Sequence, residues 1–94
     1  MRAARIDDNQ KAIVAALRKI GCTVVHLHTV GQGCPDILCK LGNTLLLMEI
    51  KDGDKPPSAQ KLTPQQEVFH KEWRGSVVVV NSIEAALEAI TRQV

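Results

Sequence analysis

The sequence has 94 residues, of which 45% are hydrophobic and 23% charged, and its formal net charge at pH 7 is +2. This length suits one small domain, and no apolar run approaches the roughly 18 residues that a membrane-spanning helix needs. The small net charge excludes a uniformly basic surface, so any nucleic-acid-binding surface must come from local clusters of lysine and arginine.

The start of the chain and its cysteines bear on the cellular compartment. The segment from Met1 to Gln10 is polar and charged, unlike a secretory signal, so we expect an intracellular, cytoplasmic protein without membrane association. The three cysteines, Cys22, Cys34 and Cys39, are odd in number and include no C-x-x-C pair, which suits reduced thiols.

The first part of the chain predicts a helix, a strand and a loop. A helix is predicted from Asp8 to Ile20, with Gly21 as its stop, because apolar residues recur there at helical spacing. The β-branched and apolar segment Thr23 to His28 predicts a strand. The segment Thr29 to Pro35 is rich in glycine and predicts a loop.

Two apolar runs around a short turn predict a β-hairpin. The runs are Ile37 to Leu41 and Thr44 to Met48, and Gly42 and Asn43 form the two-residue turn between them. The second run is apolar at nearly every position, which is typical of a central strand that is covered on both faces.

The hairpin register places two acidic residues opposite each other. A two-residue turn opposes Leu41 to Thr44 and, at the far end, Asp36 to Glu49. Directly opposed residues have Cβ atoms about 4.5–5.5 Å apart, and two carboxylates this close repel each other unless a cation lies between them. Lys51 shares a face with Glu49 because side chains alternate along a strand. The spacing therefore predicts a metal site with a lysine beside it.

The second part of the chain begins with a predicted loop and helix. Asp52 to Leu62 contains glycine, prolines and lysines, and predicts an exposed, mobile loop. Thr63 is a predicted N-cap with Gln66 three residues later, which is the pattern of a capping box. The helix is expected to run to about Trp73 and to end at Gly75.

The C-terminal segment predicts one more strand and helix. Ser76 to Val80 predicts a buried strand, and Asn81 or Ser82 is expected to cap a helix that ends near Arg92. The inward residues of this helix are predicted to be Ile83, Ala86, Leu87 and Ile90. The element order is α-β-β-β-α-β-α in a single domain of residues 1–94. The fold class is α/β, a mixed sheet with helices on both faces.

The motifs resemble those of the PD-(D/E)xK nuclease superfamily, which has the restriction-endonuclease-like fold. Pro35-Asp36 with Glu49-Ile50-Lys51 matches its core motif, and the predicted element order matches its core. The chain is more narrowly similar to the stand-alone phage VRR-NUC domains over essentially its full length. The matching segments are Gly33-Cys34-Pro35-Asp36, Glu49-x-Lys51-Asp52-Gly53, Leu62-Thr63-Pro64-Gln65-Gln66, Phe69-His70 and Trp73-x-Gly75.

This resemblance implies a divalent-metal-dependent endonuclease. Asp36, Glu49 and the backbone carbonyl of Ile50 would bind Mg²⁺ or Mn²⁺. Lys51 would orient or activate the attacking water, or stabilise the charge that forms on the phosphate. Related phage domains act as homodimers on branched DNA such as four-way junctions, which implies a role in DNA repair or recombination in a bacterial or phage-infected cell.

Two glutamines each have two interpretations. Many relatives have an acidic residue where this chain has Gln10, so Gln10 is either an accessory site residue or part of a capping box with Asp7. A neutral amide adds no charge, which favours chemistry with one metal ion. Gln66 is either a capping residue or an active-site residue, with Gln65 as its substitute if the helix starts one residue earlier.

Several alternatives remain open at the level of sequence. Lys55 and Lys61 are either DNA phosphate contacts or solubility charges. His26 and His28 share a face and could bind zinc with a cysteine, although their spacing fits no established zinc pattern. The acidic pair and Lys51 could also be a solvated face. The alternative functions are a non-catalytic nucleic-acid-binding or assembly domain, and a nuclease module that a partner protein targets.

Overall fold

A computed structural model describes residues 8–92 and contains one four-stranded sheet, three α-helices and a short 3₁₀ turn. The helices are α1 (Asp8–Lys19), α2 (Pro64–Glu72) and α3 (Ile83–Arg92), and the 3₁₀ turn is Pro57–Gln60. The strands are β1 (Thr23–His26), β2 (Ile37–Leu41), β3 (Thr44–Ile50) and β4 (Val77–Val80). The predicted element order is confirmed. In the described part of the chain, no helix is long and apolar enough to cross a membrane.

The sheet is mixed, as predicted. Its strands lie in the order β1-β2-β3-β4, with antiparallel pairing among the first three and parallel pairing between β3 and β4. The parallel pair requires a crossover, and α2 lies within it. The hairpin register is the predicted one, from Leu41 opposite Thr44 to Ile37 opposite Met48. Gly42 has φ +58°, the backbone conformation that a two-residue hairpin turn needs and that glycine adopts without strain.

The hydrophobic core lies on the face of the sheet that α1 and α3 cover. These two helices pack against each other as well as against the strands. The fully buried core side chains include Ile13, Leu17, Ile37, Cys39, Leu46, Met48 and Ile90. Because side chains alternate along β3, Glu49 and Lys51 lie on the opposite face, where α2 contacts Lys51 through Gln66. Helices therefore flank both faces of the sheet.

Three predictions about burial and boundaries are wrong in detail. β4 is an edge strand rather than a buried one: Val80 is buried but Val79 is 44% exposed, because β4 has a strand on one side only. Ile83 is 40% exposed because it begins α3 just beyond the end of β4, where no strand covers it. β1 ends at His26, two residues before its predicted end.

The C-terminus of α2 lies within one residue of its predicted end. The helix ends at Glu72, and Trp73 is already extended, with its backbone N–H donating to the carbonyl of Phe69 at 2.9 Å. Gly75 has another role, because a Cβ atom there would lie 2.6 Å from Nε1 of Trp73. Glycine thus allows the indole to pack closely over the backbone.

The loop between β3 and α2 has more local order than its composition indicates. It contains the 3₁₀ turn, and Gln60 closes the middle of the loop by donating from Nε2 to the carbonyl of Lys55 at 2.7 Å. Asn81 in turn donates to Oε1 of Gln60 at 2.9 Å. These hydrogen bonds hold the exposed loop against the segment between β4 and α3.

Candidate active site

Asp36 lies where β2 begins, and both its backbone and its side chain are held. Its carbonyl accepts a hydrogen bond from Leu27 at 2.7 Å, and its N–H donates to the carbonyl of Met48 at 3.0 Å. The side-chain Oδ2 accepts from the backbone N–H of Ile50 at 2.7 Å. The carboxylate therefore has a fixed orientation toward the end of β3.

Glu49 is a buried carboxyl group next to Asp36. The residue is only 3% exposed, and its Oε1 has no hydrogen-bond partner. Burial, followed by the hydrogen bond and negative charge of Asp36, raises the pKa of Glu49 to about 8, against the opposing effect of Lys51. Without a cation, the Glu49 carboxyl group is therefore largely protonated at neutral pH.

This pair of carboxyl groups has the chemistry of a divalent-cation site. Buried side-chain oxygens nearly always have a hydrogen-bond partner, so the unpartnered Oε1 of Glu49 is an exception that a ligand would remove. Hard oxygen donors suit Mg²⁺ or Mn²⁺. Within residues 8–92, no group of three or more His, Cys, Asp or Glu side chains could hold a metal ion. A cation bound here would take its other ligands from carbonyl groups, water or substrate.

Lys51 is held on three sides. Its Nζ donates to Oε1 of Gln66 at 2.8 Å and lies 3.9 Å from Oε2 of Glu49. Its carbonyl accepts from Nδ2 of Asn9 at 2.7 Å, which joins the first turn of α1 to the end of β3. The Lys51 side chain is only 13% exposed. Asn9 was not predicted as a site residue, because the contact joins residues 42 positions apart.

Gln66 forms the predicted capping box and also contacts Lys51. Oε1 accepts from the backbone N–H of Thr63 at 2.9 Å, and the Thr63 hydroxyl accepts from the N–H of Gln66 at 3.2 Å, which together form the capping box. The same Oε1 accepts from Lys51. The capping box therefore orients the amide that holds the lysine. Gln65 is exposed and lines a separate groove with Val68.

Gly33 determines how the loop before Asp36 meets α2. Its φ is +78°, and a Cβ atom there would collide with the carbonyl of Gln65. Any larger residue would push the Asp36 loop away from the start of α2, and so from Gln66. The glycine in the segment Gly33-Cys34-Pro35-Asp36 was the sequence signal for this close approach.

Two further side chains near the site were not predicted as site residues. Cys34 lies close to the acidic pair: burial first, and then the charges of Glu49 and Asp36, raise the pKa of its thiol. Burial first, and then the charge of Lys51, lower the pKa of His70 on α2. A lone cysteine or histidine carries little information in a sequence, because only the fold brings Cys34 toward the carboxyl groups and His70 toward Lys51.

Gln10 points toward the sheet, as predicted. It is 5% exposed, and its Nε2 lies 3.3 Å from Nδ1 of His26. The capping box proposed with Asp7 lies outside the described residues. His26 and His28 are in edge-to-face contact, with ring centroids 5.7 Å apart.

The two predicted DNA-binding lysines lie in the loop after β3. Lys55 and Lys61 are exposed, and Lys61 follows the 3₁₀ turn directly. Gln60 is hydrogen-bonded to the backbone of Lys55, so the loop that carries both lysines is anchored. Neither side chain contacts the acidic pair.

The fold and the site together define a restriction-endonuclease-like domain with an acidic pair and a lysine at the end of a β-hairpin. No protein-family model matches the sequence, and no curated protein matches it. A solved structure described as a "VRR_NUC domain" superimposes with a TM-score of 0.67 and 26% sequence identity, covering 90% of this chain and 92% of that one. The chain thus has the VRR-NUC fold, within the PD-(D/E)xK superfamily, as its motifs predicted.

Proposed function

We propose that this protein is a divalent-metal-dependent DNA endonuclease that hydrolyses phosphodiester bonds. The observation that carries this proposal is the unpartnered Oε1 of Glu49, which is buried beside Asp36 and next to a restrained lysine. The similarity to a VRR_NUC domain over 90% of the chain supports the same reaction class.

The metal would be held by Asp36, Glu49 and the backbone carbonyl of Ile50. When bound, Mg²⁺ or Mn²⁺ supplies Lewis-acid activation of the phosphate and of a water nucleophile. Asp36 is already oriented for this role by the N–H of Ile50. Glu49 must give up a proton to become a ligand, because its pKa is raised to about 8 without a cation. Gln10 is an accessory candidate that would act through a bound water.

Lys51 would act on the phosphate group under attack. Its ammonium group is placed by Gln66 and lies near Glu49, so it would face the same phosphate as the metal ligands. A fixed cation at this point stabilises the negative charge that develops during hydrolysis, or orients the attacking water. Gln66 would therefore contribute by positioning Lys51.

Binding of DNA would rely on its backbone rather than on base sequence. Lys55 and Lys61 extend from the anchored loop and would contact phosphates. Contacts of this kind select DNA by shape, which favours branched substrates such as four-way junctions.

We further propose a homodimer, which would place two active sites on two strands. Sedimentation should show a dimer at micromolar concentration, and a monomer both free and on junction DNA would overturn this part of the proposal.

A cleavage assay tests the function directly. The protein is incubated with four-way junction, flap, linear duplex and single-stranded DNA, each with Mg²⁺, Mn²⁺ or a chelator. We expect cleavage that requires metal and is strongest on branched DNA. Absence of cleavage on every substrate would instead support a non-catalytic DNA-binding domain, and cleavage that appears only with an added partner protein would support a targeted module.

A further inference from the structure

His70 lies on the side of α2 that faces the candidate active site. It follows Gln66 by four residues, and residues at this spacing are neighbours on one face of a helix. Gln66 accepts a hydrogen bond from Nζ of Lys51 at 2.8 Å, so this face of α2 is turned toward the lysine. Glu72 lies on the other side of α2, where it lines a groove with Gln65 and Val68.

The imidazole of His70 has a buried nitrogen without a partner. Its Nε2 is inaccessible to solvent and makes no hydrogen bond. Burial of such an atom is unfavourable, and buried polar groups almost always have a partner. Nothing in the core requires a histidine here, because α2 contributes no fully buried residue. Because His70 as a whole is only partly buried, rotation of its side chain would bring this nitrogen to a ligand that the free protein lacks.

The charge around His70 indicates the kind of ligand. His70 follows Gln66, which holds the ammonium group of Lys51, by one helical turn, and the positive charge of Lys51 is, after burial, the second cause that lowers the pKa of His70. A ligand that enters between a lysine and a neutral imidazole that donates through Nε2 is favoured if it is anionic and rich in hydrogen-bond acceptors. A phosphate group has both properties.

We propose that Nε2 of His70 donates a hydrogen bond to a non-bridging oxygen of the DNA phosphate that Lys51 contacts. His70 is then a further substrate-contacting residue, and this inference rests on the proposed function. The proposed contact also explains why Gln66 and His70 lie on one face of α2. Gln66 positions Lys51, and His70 binds the phosphate group on which Lys51 acts.

Three variants of α2 test this contact by cleavage kinetics. His70→Phe keeps a ring of similar size but no nitrogen, and should lower kcat/KM by about tenfold to a hundredfold, the range for a hydrogen bond to a charged group. His70→Gln restores an N–H near the position of Nε2 and should recover most of the rate. Glu72→Gln is the matched control on the other side of the helix and should cleave like the wild type.

Thermal melting separates this role from a structural one. His70→Phe removes an unpartnered buried nitrogen, so its melting temperature without DNA should not fall below that of the wild type. Loss of activity without loss of stability supports the proposal. Wild-type rates for His70→Phe, or equal losses for His70→Phe and His70→Gln, would overturn it.

A binding measurement decides the question independently of cleavage. The ¹⁵N signals of the wild-type imidazoles are followed by NMR while duplex or junction DNA is added in the presence of a chelator. The Nε2 signal of His70 should shift as the DNA binds. An unchanged signal at saturation, or no DNA binding, would overturn the proposal. If the wild type cleaves no DNA, the proposed function fails, and this titration still decides whether His70 contacts phosphate.

Discussion

The two faces of β3 differ in whether their buried side chains have favourable partners, either apolar contacts or hydrogen bonds. On the face toward α1 and α3, Leu46 and Met48 are fully buried among apolar neighbours. On the opposite face, Glu49 is equally inaccessible but keeps an oxygen without a partner, and Leu45 is 56% exposed. The side chains on the face toward α1 and α3 stabilise the fold. The other face retains a buried carboxyl oxygen without a hydrogen-bond partner.

This difference shows that stability and the candidate function are separated by side-chain alternation along a single strand. Residues one position apart point to opposite faces, so neighbours in sequence have unrelated roles. The separation predicts that substitutions on the core face reduce stability, whereas substitutions on the open face alter activity and leave stability unchanged or improved. The following experiments test this separation.

The largest effect is expected for Lys51→Ala. Loss of the ammonium group should reduce cleavage by about a hundredfold to a thousandfold, the usual effect of removing one group that stabilises developing charge. Binding of Mn²⁺ and of junction DNA should survive, because the carboxyl groups and loop lysines remain. Single-turnover cleavage and DNA-binding titrations measure both. Lys19→Ala, an exposed lysine at the end of α1, is the control. Cleavage within about threefold of the wild type would remove Lys51 from the mechanism.

A pair of adjacent leucines compares the two faces directly. Leu46→Ala should lower the free energy of unfolding by about 2–5 kcal/mol, because it opens a cavity in the core. Leu45→Ala on the open face should change it by less than about 0.5 kcal/mol. Urea denaturation of both variants measures the difference. Equal destabilisation would mean that the open face is covered in solution, for example by a second copy of the chain.

Glu49→Gln should change stability and activity in opposite directions. Above about pH 8, where Glu49 is ionised in the metal-free protein, removing its charge beside Asp36 should stabilise that protein by about 0.5–2 kcal/mol, the usual range for substitutions that relieve a functional site. Added Mn²⁺ should raise the melting temperature of the wild type, since a ligand of the folded state stabilises it. The variant should lose that rise and lose cleavage. A destabilised variant that retains the Mn²⁺ response would show that the two carboxyl groups do not share a cation.

The raised pKa of Glu49 also predicts a pH dependence of stability. The pKa of Glu49 is about 8 in the folded metal-free protein and about 4.5 when unfolded, so the folded state holds the extra proton between these values. Its stability should therefore fall as pH rises from about 4.5 to 8. Glu49→Gln should lack this contribution, and Mn²⁺ should bind more tightly as pH rises. Urea denaturation with chelator across this window measures the slope. Identical slopes for variant and wild type would contradict the raised pKa.

Local sequence patterns determined the hairpin and the start of α2. The turn at Gly42 sets the register of its two strands because only a few backbone geometries close a two-residue turn. Thr63 and Gln66 form their capping box through contacts within three residues. The same locality explains why the spacing of Asp36, Glu49 and Lys51 was enough to predict that these side chains lie together. Less local features, such as the exposure of β4, were predicted less well.

The tertiary structure alone decided which distant groups complete the site. The hydrogen bond from Asn9 to Lys51, the approach of Gly33 to α2 and the position of His70 all join segments that are remote in sequence. Such contacts depend on how the helices pack on the sheet, and no local pattern encodes them. The sequence by itself therefore determined the fold class and the central acidic pair with its lysine. The tertiary structure determined the burial of Glu49, because burial is a property of the whole fold. It also determined the surroundings of Lys51, through Asn9 of α1 and Gln66 of α2.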